Sequence, residues 1–184
     1  FNAEDALELA ELEIKSIKIP SHEITNKDLH LICIEKFETI YLSCGACTSN
    51  ELNEIAEIYA RRRSDQRLVA MHCISSYPCP PEKTNLPRFN KLKGLFASEL
   101  GFSDHSTSTM IPALSVIYGC SVIEKHFTSD KSLPGRDNKF ALVKDEFQKM
   151  VDACEEAALA NLDLGIDYLD IEANTVNDYR GRWG

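Results

Sequence analysis

Apolar positions along this chain follow two spacings, which alternate from one segment to the next. Short apolar runs such as Ile14-Lys-Ser-Ile-Lys-Ile19 are bounded by Pro, Gly or charged residues and predict strands. Between them lie segments with apolar residues three or four apart, which predict amphipathic helices. We predict strands over 14–19, 39–44, 68–74, 99–103 and 120–126, and helices over 2–12, 26–36, 49–62, 85–96, 107–118 and 144–160.

This alternation predicts an α/β fold with a parallel sheet and helices packed outside it. The five strand–helix units are fewer than the eight of a closed barrel, which needs at least about 200 residues. One interpretation is that the chain holds the last five units of a TIM (β/α)8 barrel over residues 1–160, with an irregular tail over residues 161–184. A complete five-stranded doubly wound sheet fits the periodicity equally well.

Composition and charge argue against some classes of function, namely nucleic-acid binding and membrane contact. The 184 residues are 43% apolar and 27% charged, which is typical of a folded globular protein. The net charge of −9 argues against a nucleic-acid partner, because nucleic-acid binders carry a basic surface. No apolar run approaches the ~18 residues of a membrane span, and no leader-like start is seen, so we expect no contact with a membrane.

Cysteine usage points to the cytoplasm. Seven cysteines lie scattered without the rhythm of a small disulfide scaffold, which predicts reduced thiols in or near the core. Cys44-Gly-Ala-Cys47 has the spacing of a redox or zinc motif. No second ligand pair accompanies it, so the motif by itself is weak evidence for either role.

Polar residues lie at or just after the carboxyl ends of the predicted strands, the edge where parallel α/β folds place active sites. They are Lys18, Ser21, Ser43, His72, Ser75, Ser103, His105, Glu124 and His126. His105 and His126 end neighbouring strands, which lie about 4.8 Å apart. Two imidazoles there can hold one divalent cation and leave positions for water or substrate. The alternative for each is a hydrogen-bonded core histidine.

An anion site is a second hypothesis for this edge. Gly101-Phe-Ser-Asp-His105 leads into the predicted helix 107–118, where a Ser hydroxyl and free N–H groups suit phosphate or carboxylate. Simple helix capping explains the same residues. Lys18 offers a cation to the anion, unless its side chain points into solvent.

Two carboxylates complete the candidate chemistry. Strand alternation puts Glu124 on the face of His126 and turns Lys125 toward the helices. Glu124 is then either a proton-handling carboxylate or part of an interior ion pair. Asp137 follows Pro134-Gly-Arg in a loop and either binds substrate hydroxyls or serves only the turn.

Six runs of this sequence resemble the sialic acid (N-acetylneuraminate) synthase family, whose relatives make legionaminic and pseudaminic acids and spore-coat sugars. They occur in the family's order across about residues 1–160, and together they are highly specific. The runs are Ile17-Lys-Ile-Pro-Ser-His-Glu23, Leu42-Ser-Cys-Gly45, Met71-His-Cys-Ile-Ser-Ser-Tyr-Pro78, Gly101-Phe-Ser-Asp-His105, Val122-Ile-Glu-Lys-His-Phe-Thr128 and Leu133-Pro-Gly-Arg-Asp-Asn-Lys-Phe140.

The resemblance implies a TIM barrel that condenses phosphoenolpyruvate with the open-chain aldehyde of an N-acylated hexosamine such as N-acetylmannosamine. The products would be a nine-carbon 2-keto acid and phosphate, and the intact protein would be a homodimer. A divalent metal, usually Mn²⁺ with Mg²⁺, Co²⁺ or Zn²⁺ as alternatives, would be held by His105 and His126, which with Glu124 form the expected catalytic set. The resemblance assigns phosphoenolpyruvate to Lys18, Ser21, Ser43, Ser103 and, more weakly, Ser75, and the sugar to Glu23 and Asp137.

Five positions differ from the family's usual residues, and they touch the sugar side more than the metal side. They are Pro20, His22, Cys44, Arg136 and Asn138. Alternatives to a sialic acid synthase are therefore a related pseudaminic or legionaminic acid synthase, and a non-catalytic metal- or anion-binding module. A Schiff-base aldolase would need Lys18 as its nucleophile.

Overall fold

A computed structural model describes residues 2–183, and in it the predicted strands and helices are present. The strands are β1 (Ser16–Ile19), β2 (Thr39–Ser43), β3 (Arg67–Cys73), β4 (Glu99–Asp104) and β5 (Cys120–Lys125). The α-helices are α1 (Ala3–Glu11), α2 (Lys27–Lys36), α3 (Ser49–Tyr59), α4 (Phe89–Phe96), α5 (Met110–Ile117) and α6 (Lys144–Ala160). Short 3-10 turns cover Ser21–Glu23, Pro81–Lys83, Leu86–Arg88 and Asp170–Glu172, and a π-turn covers Thr175–Tyr179.

The strand order decides between the two architectures. All neighbouring strands are parallel, and their order in the sheet is β1-β2-β3-β4-β5, the order of the chain. A doubly wound sheet reverses direction at a switch point, whereas a barrel adds each strand beside the last. The sheet is therefore of the barrel type, and it is open.

Alternation along the strands gives the sheet an apolar face and a polar face. In β4, Leu100 and Phe102 point toward the helices and join the buried core, whereas Gly101 and Ser103 point to the other, concave face. The core between sheet and helices includes Phe37, Tyr59, Phe89 and Phe96. Each such buried side chain stabilises the fold by about 1.5–3 kcal/mol.

His72 belongs to this core, so its expected place at the polar edge is wrong. The side chain is fully buried, its ring stacks on Phe102 at 5.5 Å, and Phe89 packs edge-on at 5.0 Å. Its Nε2 lies 2.7 Å from the Thr84 carbonyl oxygen. The position alternates with Met71 and Cys73 and therefore faces the helices.

The end of α3 also differs from the prediction. Thr48 caps the helix in a capping box with Glu51, so the start at Ser49 agrees. The helix ends at Tyr59 rather than residue 62, because Arg62 and Arg63 leave it to bind carbonyl groups. Arg62 donates to Tyr59, and Arg63 donates to the last carbonyls of α2.

The outer strand β1 leaves an open groove beside α1. The groove has a volume of about 570 Å³ and is lined mainly by apolar side chains, among them Leu9, Leu12 and Ile17. Beyond α6, residues 161–183 are almost entirely exposed, and the division of the chain at residue 160 stays a prediction. Within residues 2–183, no helix has the length and apolar character needed to cross a bilayer.

A buried histidine makes the stability of this fold depend on pH. His30 in α2 is fully buried, with Nδ1 3.0 Å from the Tyr59 hydroxyl and Nε2 2.9 Å from the Ile24 carbonyl. Burial lowers the pKa of His30. His30 therefore binds a proton more readily in the unfolded chain than in the folded one. Its contribution to the free energy of unfolding is fully present above the unfolded pKa of about 6.5 and is lost as pH falls below that value.

We expect the free energy of unfolding to fall between pH 6.5 and pH 5 more steeply in the parent than in His30→Gln. The Gln amide can still donate to the Ile24 carbonyl but does not titrate. Urea denaturation at several pH values measures the difference, which is at most about 1.4 kcal/mol per pH unit for one proton. Parallel curves for parent and variant would contradict this role of His30.

Candidate functional site

An open cleft of about 280 Å³ lies at the carboxyl ends of β1, β4 and β5. This cleft is lined by Lys18, Tyr77, Ser103, His105, Glu124, Lys125 and His126. It is smaller than the apolar groove beside α1, but it gathers the imidazoles, a lysine and a carboxylate in one place. Chemistry therefore points to the cleft rather than to the larger groove.

The two histidines face each other across the cleft. Their ring centroids are 5.4 Å apart, and the ring planes are inclined by 57°. His105 Nδ1 lies 2.8 Å from the Ile74 carbonyl oxygen, so this nitrogen carries the proton and donates, which leaves Nε2 with its lone pair. Such a backbone contact fixes the tautomer that a metal ligand needs.

The pKa values of His105 and His126 are shifted in opposite directions. Burial and the nearby His105 lower the pKa of His126, which favours its neutral form. Burial also lowers the pKa of His105, but its contacts with Cys73 and the Ile74 carbonyl outweigh burial and raise it overall. The carboxylate of Asp137 also lies near His126, with its Oδ2 3.7 Å from Nδ1.

The imidazole pair fits a divalent cation with open positions. Metal–nitrogen bonds of about 2.1 Å allow two rings at the observed separation to share one ion. Among the described residues, no group of three His, Cys, Asp or Glu side chains is placed to hold a metal. A cation bound here would therefore take its remaining ligands from water or substrate, as a Lewis-acid site requires.

Lys18 and Glu124, which both line the cleft, form an ion pair. Lys18 Nζ lies 2.9 Å from Glu124 Oε2, so Lys18 does not simply point into solvent. Burial raises the pKa of Glu124, but the neighbouring Ser103 hydroxyl and Lys18 ammonium outweigh it, and the pKa lies below its ordinary value. The interior ion pair is thus present, and a proton-handling role for Glu124 stays a prediction.

Three serine hydroxyls lie at the ends of the first three strands. Gly45 donates its N–H to Ser21 Oγ at 3.2 Å. A Cβ on Gly45 would lie 2.7 Å from Ser21 Oγ and 3.0 Å from Ser75 Oγ, so these groups crowd around the glycine. Ser43 is buried, and its hydroxyl has no hydrogen-bond partner in the described part of the chain. An orphaned buried hydroxyl is suited to an absent ligand.

The start of α5 does not supply the expected free N–H groups. The helix begins at Met110, not at residue 107, and its first two N–H groups are already bonded to a serine side chain. Ser108 Oγ accepts from Met110 and Ile111, and Ser106 donates its N–H to Asp104. Capping therefore explains this run, and an anion would rely on Ser103 and the serine cluster instead.

The two residues expected on the sugar side are placed differently. Asp137 reaches His126, as described above, and its own carbonyl accepts from Phe140 and Ala141, so it also serves the turn. Glu23 is not among the residues that line the cleft in the described part of the chain. Its carboxylate accepts from Asn26 Nδ2 at 2.8 Å, beside the start of α2.

Sequence reasoning missed the aromatic wall of the cleft. The Tyr77 ring lies 4.1 Å from the His105 ring and 5.9 Å from the His126 ring. Phe140 packs against His126 at 5.0 Å. Cys73, read as a small core residue, is buried with its Sγ 4.0 Å from His105 Nδ1. The only signal for Tyr77 is its place in the loop after β3, next to Pro78.

Comparison with known proteins identifies relatives of this chain. The family model described as the NeuB family matches residues 1–163. The chain is 38% identical over 179 residues to a pseudaminic acid synthase of Campylobacter jejuni, covering 97% of this chain and 51% of that protein. It is 37% identical over 153 residues to an N,N'-diacetyllegionaminic acid synthase of Legionella pneumophila, covering 81% and 43%. The chain thus spans about half the length of these relatives or less.

Solved structures agree on the fold. The N-acetylneuraminic acid synthetase of Leptospira borgpetersenii, solved with citrate, superposes with a TM-score of 0.87 at 28% identity, covering 99% of this chain and 64% of that one. The SpsE spore-coat protein of Bacillus subtilis gives a TM-score of 0.80 at 32% identity, covering 86% and 45%. The predicted barrel class is confirmed, and the five units form part of a TIM-barrel-like fold.

Gly45→Ala tests the serine cluster. The added Cβ would lie 2.9 Å from the Cys73 carbonyl oxygen, which is backbone and cannot easily move. We expect a destabilisation of about 1–3 kcal/mol and loss of inorganic phosphate binding, measured by urea denaturation and calorimetric titration. Gly94→Ala is the control, because no atom lies within 4 Å of its Cβ, and it should stabilise α4 by about 0.5–1 kcal/mol. Undiminished phosphate binding by Gly45→Ala would contradict the assignment.

Proposed function

Because this chain belongs to the NeuB family, we propose that the full-length protein condenses phosphoenolpyruvate with the open-chain aldehyde of an N-acylated hexosamine. The products are a sialic-acid-type nine-carbon 2-keto sugar acid and phosphate. The chain's relatives are named synthases of this class. They all support a biosynthetic enzyme of the sialic acid type.

One observation carries the proposal. The cleft brings two imidazoles, a lysine and a carboxylate together at the carboxyl ends of β1, β4 and β5, and the neighbouring end of β2 carries a buried hydroxyl that lacks a partner. An aldol-type condensation with an anionic enol phosphate needs these groups: cations for the anion, a Lewis acid for the aldehyde oxygen and a group that moves a proton.

In this proposal His105 and His126 hold a divalent metal, with Mn²⁺ as the first choice and Mg²⁺, Co²⁺ or Zn²⁺ as alternatives. The metal, when bound, supplies Lewis acidity at the aldehyde oxygen. Nitrogen ligands with oxygen ligands from substrate or water accept several of these ions, so the two imidazoles do not select one metal by themselves.

The other residues bind and orient phosphoenolpyruvate. Lys18 supplies a point charge and Ser21, Ser43, Ser75 and Ser103 supply hydroxyls to its phosphate and carboxylate. Carbon 3 of phosphoenolpyruvate then forms a bond to the aldehyde carbon, water adds at carbon 2, and the tetrahedral intermediate loses phosphate. Glu124, ionised beside Lys18, accepts the proton that the water releases as it adds at carbon 2 and passes it to the oxygen of the former aldehyde, and the second water proton leaves with phosphate.

The identity of the sugar rests on fewer contacts. Asp137 beside His126 and Glu23 near β1 are the candidate partners of the sugar hydroxyls. Relatives named pseudaminic and legionaminic acid synthases each match over four-fifths or more of this chain. They favour a second candidate product, pseudaminic or legionaminic acid, in place of a neuraminate made from N-acetylmannosamine.

Two further parts of the proposal concern the whole protein. The seven cysteines are all free, which suits a reducing compartment, and we place the reaction in the cytoplasm. The full-length protein is proposed to act as a homodimer.

Phosphate release by the full-length protein tests the reaction. With Mn²⁺, phosphoenolpyruvate and either N-acetylmannosamine or the amino-sugar precursors of pseudaminic and legionaminic acids, we expect release of phosphate together with a 2-keto acid. His105→Ala and His126→Ala should each abolish the dependence on Mn²⁺, because one imidazole alone holds the cation weakly. A coupled phosphate assay and mass spectrometry of the product measure both effects.

Lys27→Ala, which removes an exposed ion pair with Glu54, controls for general effects of substitution. Mn²⁺ activation retained in both histidine variants would contradict the metal assignment. Binding of Mn²⁺ and phosphate without turnover of any sugar would favour the non-catalytic module. A covalent adduct of Lys18 with pyruvate, trapped by borohydride, would favour the Schiff-base aldolase.

Ser43→Ala separates binding from stability. Removing a buried hydroxyl that has no protein partner should leave the free energy of unfolding unchanged or slightly higher. The same change should raise the KM for phosphoenolpyruvate about tenfold or more, since hydrogen bonds to charged groups are worth about 1.5–3 kcal/mol. Steady-state kinetics and thermal melting measure both. Ser98→Ala, at a half-buried site before β4 and outside the cleft lining, should change neither, and a destabilised Ser43→Ala with an unchanged KM would contradict the role.

A further inference from the structure

A buried ion pair lies directly behind the two histidines. Lys125 Nζ and Asp104 Oδ2 are 2.5 Å apart, and each side chain is only 1% exposed. The strand register pairs Asp104 of β4 with Lys125 of β5. His105 and His126 are the next residue on each strand, so the ion pair joins the two strands one position before the imidazoles.

The same pair also fixes the backbone that follows His105. Lys125 Nζ donates to the carbonyls of Ser106 and Ser108. Asp104 accepts from the N–H and the hydroxyl of Ser106. His105 is therefore held on both sides, by Asp104 before it and Ser106 after it, and both are tied to β5 through one ammonium group.

Stability alone is a poor reason for such a pair. Taking two charges out of water costs several kcal/mol per ion, and an apolar pair of similar volume is often as stabilising. The rest of the helix-facing side of these strands, Leu100, Phe102 and Ile123, is apolar. What the ion pair adds over an apolar pair is direction, since its hydrogen bonds define where each partner and the loop after His105 lie.

We propose that Lys125 and Asp104 are positioning residues that hold His105 and His126 at the separation needed to share one metal ion. This inference rests on the proposed function only through the metal held by the two imidazoles. It adds two side chains that are buried beneath the cleft and closed to solvent, although the residue Lys125 also contributes to the cleft lining. Groups that orient metal ligands from behind commonly change metal affinity about 10- to 100-fold when they are removed.

A charge-free variant tests the inference. In Lys125→Met/Asp104→Leu no buried charge is left alone, so the protein should fold and melt within a few degrees of the parent. We expect its dissociation constant for Mn²⁺, measured by the EPR signal of free Mn²⁺, to rise about 10- to 100-fold. Lys125→Met alone should weaken Mn²⁺ binding as much and also destabilise the fold, because Asp104 is then buried without a partner.

Arg67→Met is the matched control. It removes an ion pair with Glu99 that joins β3 and β4 at the other end of the strands, and Mn²⁺ affinity should not change. Two results would overturn the inference. They are a double variant that folds and binds Mn²⁺ like the parent, and a double variant that fails to fold, which would make the pair a structural element.

The two proposals fail in different ways. If the parent binds Mn²⁺ through the histidines but turns over no sugar, the proposed reaction fails and the role of Lys125 and Asp104 is still decided by Mn²⁺ affinity. If the parent binds no Mn²⁺, or His105→Ala leaves Mn²⁺ binding unchanged, the metal site and the positioning role fail together.

Discussion

Lys18 and Glu124 form an ion pair across the concave face of the sheet, although they come from its two outermost strands. Five strands in a flat sheet would hold β1 and β5 about 19 Å apart at 4.8 Å per step. The contact therefore requires the sheet to curl, and the curl brings the carboxyl ends of β1, β4 and β5 around one cleft. Every candidate role of that cleft depends on this curvature.

The ion pair is a consequence of the curvature and not its cause. Both side chains are more than a third exposed, and pairs of this kind contribute little to stability. The apolar residues between sheet and helices are the larger force, because each strand is followed by a helix that packs on the same side. Burial on the convex side shapes the sheet, and the concave side is left free for polar groups.

Sequence pattern predicted most of the elements because apolar periodicity and strand ends are local properties. It could not decide between a barrel and a doubly wound sheet, since strand order depends on packing between distant segments. It placed His72 at the polar edge because it ignored alternation at that residue. The start of α5 and the Lys125–Asp104 pair were missed for one reason. Serine side chains that accept from nearby N–H groups leave no periodic signal, and neither does a lysine side chain that donates to distant carbonyls. Tyr77 lies in a loop, where position cannot be read from spacing.

The central claim is that two imidazoles share one cation beside a site for phosphate. Pulsed EPR of the Mn²⁺-loaded full-length protein tests this claim directly, because it detects ligand nuclei around the ion. We expect couplings from two imidazole nitrogens, with a phosphorus coupling appearing when phosphoenolpyruvate is added. A spectrum with water ligands only, or with a single imidazole nitrogen, would contradict it.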